Sequence, residues 1–180
     1  MTNNFISISN KEEELLRLIA NVGCFIKPYE NKLLISRHIV NGLVKSGLVV
    51  DQFSCLLYTK IFKVFTLTNS GKEFVKNKYL ISPYMTKLRN VEHDYILGNI
   101  YLNLSKEERL TWTTEMALHN KYPNSTVIDG LYINSKSETV GIEVITENYS
   151  EEEIKGKEFF LSKHCDKKIV IHSKDVFGKR

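Results

Sequence analysis

The chain has 180 residues, of which 42% are apolar and 26% charged, with a formal charge of +4. That composition excludes a disordered tail, a collagen-like repeat and a helical membrane protein, because no apolar run approaches the ~20 residues that a spanning helix needs. The charge is uneven: residues 1–85 hold 11 Lys/Arg against 6 Asp/Glu, whereas residues 86–180 hold 14 against 15. The excess positive charge therefore sits in the first half, as a nucleic-acid footprint would require.

The opening Met1-Thr2-Asn3-Asn4 has neither the basic start nor the apolar stretch of a secretory signal, so the expected compartment is the cytoplasm. Ser9-Asn10 ahead of Lys11-Glu12-Glu13-Glu14 reads as a cap followed by acids in a first helical turn. Leu15, Leu16, Leu18 and Ile19 continue it as an apolar stripe, and Gly23 stops it. Pro28 opens another turn, and a second helix is expected from about Asn31 to Ser46. Two strands follow, Leu48–Leu57 and Ile61–Thr68, separated by a polar tip at Tyr58-Thr59-Lys60. Asn69-Ser70-Gly71 starts a third helix through about Lys78. Cys24, Cys55 and Cys165 are odd in number and far apart, which indicates neither a disulfide framework nor a close metal-ligand pair.

Helices, a two-stranded hairpin and a further helix follow the order of a winged helix-turn-helix. The phrases SRHIVNGLVKSGLV (36–49) and FTLTNSGKEFV (65–75) resemble a recognition helix running into one wing strand, and the other wing strand leading into the last helix. At ~100° per residue, Ile35, Ile39, Val40, Leu43 and Val44 fall on one apolar face of the expected helix, and Arg37, His38, Asn41 and Lys45 on the opposite arc. Ser36 falls toward the buried side, where a small hydroxyl is tolerated. Arg and Asn suit guanine and adenine edges, and Lys suits phosphate. Lys60 and Lys63 near the wing tip would reach flanking phosphates; the same lysines would also discourage edge-to-edge strand pairing.

Beyond Pro83 the character changes. Residues 88–104 read as a connecting helix, with Leu88, Val91, Tyr95, Ile96 and Ile100 at helical spacing. A short helix introduced by Trp112 and Glu115 and running to about Lys121, a strand over 125–134 broken by Asp129-Gly130, a strand over 139–146, a helix capped by Ser150 and a strand over 168–172 complete the chain. The expected class is α+β, divided into residues 1–85, a connecting helix over 86–108, and a small α/β domain over 109–180.

TWTTE (111–115), VIDGLYI (127–133) and GIEVITENYSEEEIKGKEFF (141–160), behind a winged helix, resemble the replication-relaxation family of plasmid and mobile-element proteins of Gram-positive bacteria. VEHDYILGNIYLNL (91–104) resembles that family's connecting helix, with His93 in the usual place. The resemblance implies a winged helix joined to a domain like that of PD-(D/E)xK restriction nucleases. It places the metal-binding acids at Glu115, Asp129 and Glu143, which in an active member hold Mg²⁺, and it puts Ile145 where the active-site lysine belongs. The missing lysine argues against catalysis and leaves at most weak Mg²⁺ binding. Lys155 or Lys157, on the next helix, could take over that role. Each acid also has an ordinary reading: Glu115 favours a helix dipole, Asp129-Gly130 is a turn pair, and Glu143 between Ile142 and Val144 needs a partner or water.

The function expected from these features is sequence-specific binding of double-stranded DNA by a homodimer of a plasmid or mobile element. Its setting would be replication control, conjugative transfer or transcriptional regulation, with a replication or transfer protein docking on the second half. The alternative is a Mg²⁺- or Mn²⁺-dependent endonuclease. The basic tail over 174–180 could add a DNA contact.

Overall fold

The computed structural model describes residues 7–57, 59–86 and 90–177, so Met1–Asn4, Tyr58, Leu88 and the last three tail residues lie outside the described residues. The architecture is α+β. Helix α1 (Asn10–Val22) starts on a full capping box between Ser9 and Glu12 and ends at Gly23, whose φ of 92° no branched residue would tolerate. Leu15, Leu16, Leu18 and Ile19 are buried along it as the stripe implies.

The expected second helix is two helices. A short strand β1 (Phe25–Ile26) and a 3₁₀ turn over Lys27–Tyr29 lead into α2 (Glu30–Leu33), which stops at once. Leu34 then adopts φ 52° and is 80% exposed, while Ile35 turns into the core at 4%. Helix α3 (Arg37–Lys45) restarts from Ser36, an exposed N-cap residue in extended conformation rather than part of a buried helical face. The left-handed Leu34 ends α2 and residues 34–36 stand outside any helix, and that break corrects the single helix. Val44, placed on the apolar face by periodicity, is 36% exposed because α3 packs mainly through Val40 and Leu43.

Strands β2 (Val49–Leu57) and β3 (Lys60–Leu67) form the hairpin, with a bulge between Asp51 and Phe53 that adds Gln52 to one strand. β1 adds to the free edge of β3, so the sheet runs β1-β3-β2. Helix α4 (Asn69–Tyr79) follows from Thr68, whose hydroxyl accepts from the Gly71 amide. Gly71 is required because a Cβ there would lie 2.0 Å from the Leu48 carbonyl oxygen.

Helix α5 (Val91–Asn103) is shorter than expected and buried on more of its surface than a one-sided stripe predicts. It packs between α1 and the second sheet, so His93, Asp94, Ile96, Leu97, Gly98 and Tyr101 are all buried. The Tyr29 hydroxyl donates to the carbonyls of Asp94 and Tyr95 at 3.2 and 2.9 Å, and Gly98 leaves the space that the Tyr29 ring fills.

After α6 (Lys106–Leu110), the second sheet is built from β4 (Thr113–Thr114), β5 (Gly130–Ile133), β6 (Thr139–Ile145) and β7 (Lys167–His172), in that order. β4 and α6 have no counterpart in the expected elements. β5 runs antiparallel to both of its neighbours, β4 and β6, whereas β6 and β7 are parallel and joined across helix α8 (Glu151–His164). Helix α7 (Glu115–Lys121) intervenes between β4 and β5, and α9 (Ser173–Phe177) follows β7. The strand expected over 125–134 is hydrogen-bonded only from Gly130 onward; Val127, Ile128 and Asp129 are buried but lie ahead of the ladder. One buried cluster runs from Leu15 through Tyr101 and Trp112 to Val144, so α5 and Trp112 carry the same core into both sheets. A smaller cluster of Leu118, Val127, Ile128, Phe160 and Leu161 packs α7 and α8 together. Among the described residues no helix is long and apolar enough to cross a membrane.

Candidate functional site

Two sets of polar and charged residues stand out, and the fold treats them in opposite ways. On α3, Arg37, His38, Asn41 and Lys45 are exposed along one side, while Val40 and Leu43 fasten the other side to the core. Among the described residues none of these four side chains enters an ion pair, so their donors are left to solvent. Ser36, at the start of the same helix, is exposed and makes no side-chain cap. Lys60 is exposed at the hairpin end. Lys63 is also exposed, but its ammonium is held by Asp51 across the hairpin, which spends part of its charge.

The second set is buried. Asp129 immediately precedes β5 and Glu143 lies in the paired strand β6, and they brace one another through the backbone. The Asp129 amide donates to Glu143 Oε2 at 3.2 Å, and the Val144 amide donates to Asp129 Oδ2 at 2.7 Å. Both carboxylates are almost sealed from water, at 0% and 1% exposure. An isolated charge in such a place is prohibitive, so each needs a counter-charge.

His93 supplies one. Its position on α5 brings Nε2 to 3.0 Å from Asp129 Oδ2, and Nδ1 to 3.2 Å from Asp94 Oδ1, while the Thr86 hydroxyl donates to Asp94. The Tyr84 ring stacks on the imidazole, 6.4 Å between centroids. Lys157 supplies the other. It projects from α8 with Nζ 2.7 Å from Glu143 Oε1 and 5.1 Å from the centre of the Tyr149 ring.

The protonation of the cluster follows from these contacts. Burial disfavours the imidazolium, but the Asp129 charge and hydrogen bond, followed by those of Asp94, outweigh it and carry His93 up to about 10. Burial would likewise raise Asp129, yet His93 first and then Lys157 and the Val144 amide hold it below the usual carboxylate value. Glu143 moves upward through burial and then the neighbouring Asp129 charge, against the pull of Lys157. Burial also raises Asp94, despite its bonds to His93 and Thr86.

Of the residues picked out in the sequence, the fold brings Asp129, Glu143 and Lys157 together. Glu115 lies beside them at the head of α7, its amide donating to the Asp129 carbonyl at 3.1 Å and its side chain 17% exposed. Lys155 points to solvent. Helical geometry decides between the two lysines: residues two apart lie about 200° apart, so only one can face the sheet. Lys157 shares the α8 face of Phe160 and Leu161, at i+3 and i+4, and a lysine on an apolar stripe is the signal that marks it. Asp94, Thr86 and Tyr84 were not foreseen, because nothing local in the sequence ties them to Asp129.

The acids have the hard oxygens that Mg²⁺ prefers, but most of those oxygens are already engaged. Both Glu143 oxygens and Asp129 Oδ2 are in contact with protein donors or cations, leaving Asp129 Oδ1 as the buried oxygen of the pair without a partner. Among the described residues no three His, Cys, Asp or Glu side chains gather at metal-holding distance. As arranged, the cluster does not fit a divalent ion. Comparison of the chain with protein-family models, with curated proteins and with solved structures returns no match.

Proposed function

We propose that the chain is a sequence-specific double-stranded DNA-binding protein whose first half is a winged helix, with α3 as its recognition helix. The observation that carries this reading is the exposed, unpaired row of Arg37, His38, Asn41 and Lys45 on a helix anchored by Val40 and Leu43. A rigid helix offering Arg and Asn suits base edges in the major groove, and the hairpin beside it would bring Lys60, and in part Lys63, to flanking phosphates. The excess positive charge of residues 1–85 supports the same surface. The resemblance to replication-relaxation proteins supplies the setting: a plasmid or mobile element, in replication control, transfer or regulation of those genes. A homodimer would then read two half-sites about one helical turn or a multiple apart, with the second half docking a replication or transfer protein.

A second reading, a metal-dependent endonuclease, has one observation in its favour. Lys157 reaches Glu143 from the next helix, as a relocated active-site lysine would. One experiment separates the two: purified protein on its native plasmid DNA, with and without Mn²⁺, read for footprint and for cleavage together. A footprint that weakens steeply with salt on intact DNA supports the binding protein. Nicks that require Mn²⁺ and vanish in Asp129→Ala make the chain a nuclease.

A further inference from the structure

We infer that His93 and Lys157 are the resident cations of the second half, occupying the electrostatic role a divalent ion would play between Asp129 and Glu143, so that the acid cluster is a metal-independent joint. The inference goes beyond DNA recognition and does not depend on it. Three observations converge. His93 Nε2 and Lys157 Nζ lie 3.0 and 2.7 Å from the two carboxylates, one cation for each acid. All four groups are nearly sealed: His93 and Glu143 are 1% exposed, Asp129 0% and Lys157 7%. The cations arrive from different elements, His93 from α5 and Lys157 from α8, while Asp129 stands just ahead of β5 and Glu143 in β6.

The joint therefore ties α5 and α8 to the second sheet where β5 begins beside β6. Removing one cation leaves a buried carboxylate without its counter-charge, which is among the more damaging single changes a core can suffer. Removing both partners of a pair is milder, because no charge is stranded. A metal site behaves differently: its acids repel one another when empty, and adding the ion stabilises the fold by mass action.

Thermal unfolding of the full chain distinguishes the two. In wild type, EDTA, millimolar Mg²⁺ and millimolar Mn²⁺ are expected to give midpoints within about 1 °C of each other, since a ligand that does not bind cannot shift them. His93→Gln is expected to lower the midpoint by roughly 10 °C, with no recovery in Mn²⁺. Adding Asp129→Asn to His93→Gln should cost less than the sum of the two single changes. A rise of several degrees with Mn²⁺ in wild type that Asp129→Asn removes would overturn the inference, as would restoration of His93→Gln by Mn²⁺. If His93→Gln does not fold, Lys157→Met tests the other pair, and Mn²⁺ titration of wild type followed by electron paramagnetic resonance needs no variant. Saturable binding in that titration, lost in Asp129→Asn, overturns the proposal; a free-ion spectrum throughout upholds it. The footprint on DNA is a separate reading, so failure here and failure of DNA binding cannot be confused.

Discussion

The exposed donors on α3 and the buried cations around Asp129 put related side chains to opposite use. Arg37, His38, Asn41 and Lys45 stand in water with their donors unspent. His93 and Lys157 are buried against carboxylates, where removing either would strand a charge. The difference teaches how to divide a basic chain: an exposed, unpaired cation is available to a partner, whereas a buried, paired one belongs to the core. Charge counting alone does not make that division, and burial does.

The contrast can be broken most forcibly at Lys157. Lys157→Ala should cost about 3–5 kcal/mol of stability by stranding Glu143, read as a lowered denaturant midpoint. Arg37→Ala combined with Lys45→Ala should do the reverse. DNA affinity should fall roughly 100-fold, at about 1–3 kcal/mol per base-reading contact, with the unfolding midpoint essentially unmoved. If that double variant unfolds early instead, α3 is not a free face. Gly71→Ala is a control within the first half. Its Cβ would meet the Leu48 carbonyl at 2.0 Å, so a loss of about 2–4 kcal/mol is expected although no charge changes.

The pH dependence sharpens the comparison further. His93 is raised from its ordinary 6.5 to about 10, so its contribution is complete below about pH 6.5 and is lost as pH climbs toward 10. Urea midpoints should fall over that alkaline range in wild type and change less in His93→Gln. The smallest effect is expected at the hairpin. Lys60→Ala should weaken DNA binding a few-fold and reduce the salt slope by about 1, with Lys63→Ala doing less because Asp51 already holds that ammonium.

Much of the local structure was legible because its signals are short-range. The caps at Ser9 and Ser150, the hairpin, and α8 all announce themselves within four or five residues. The break at Leu34 was not legible, since the apolar periodicity continues smoothly through it and no glycine or proline marks the left-handed residue. β4 spans two residues and has no pattern of its own. The buried cluster lay between these cases. Asp129 and Glu143 came from motif resemblance and Lys157 was one of two options, but residues 84, 86, 93 and 94 meet Asp129 only through tertiary packing. His93 did leave a trace, standing on the face of α5 that also carries Ile96, Leu97 and Tyr101.

Trp112 has a practical consequence. It is the single tryptophan of the chain, packed edge-on to Tyr101 at 5.2 Å and stacked over Tyr132 at 6.4 Å, with Gly130 leaving room for its ring. At 8% exposure it sits where α5 meets the second sheet. The chain thus carries one intrinsic fluorophore at the seam between its regions, and a red shift in its emission signals the opening of that seam without any label.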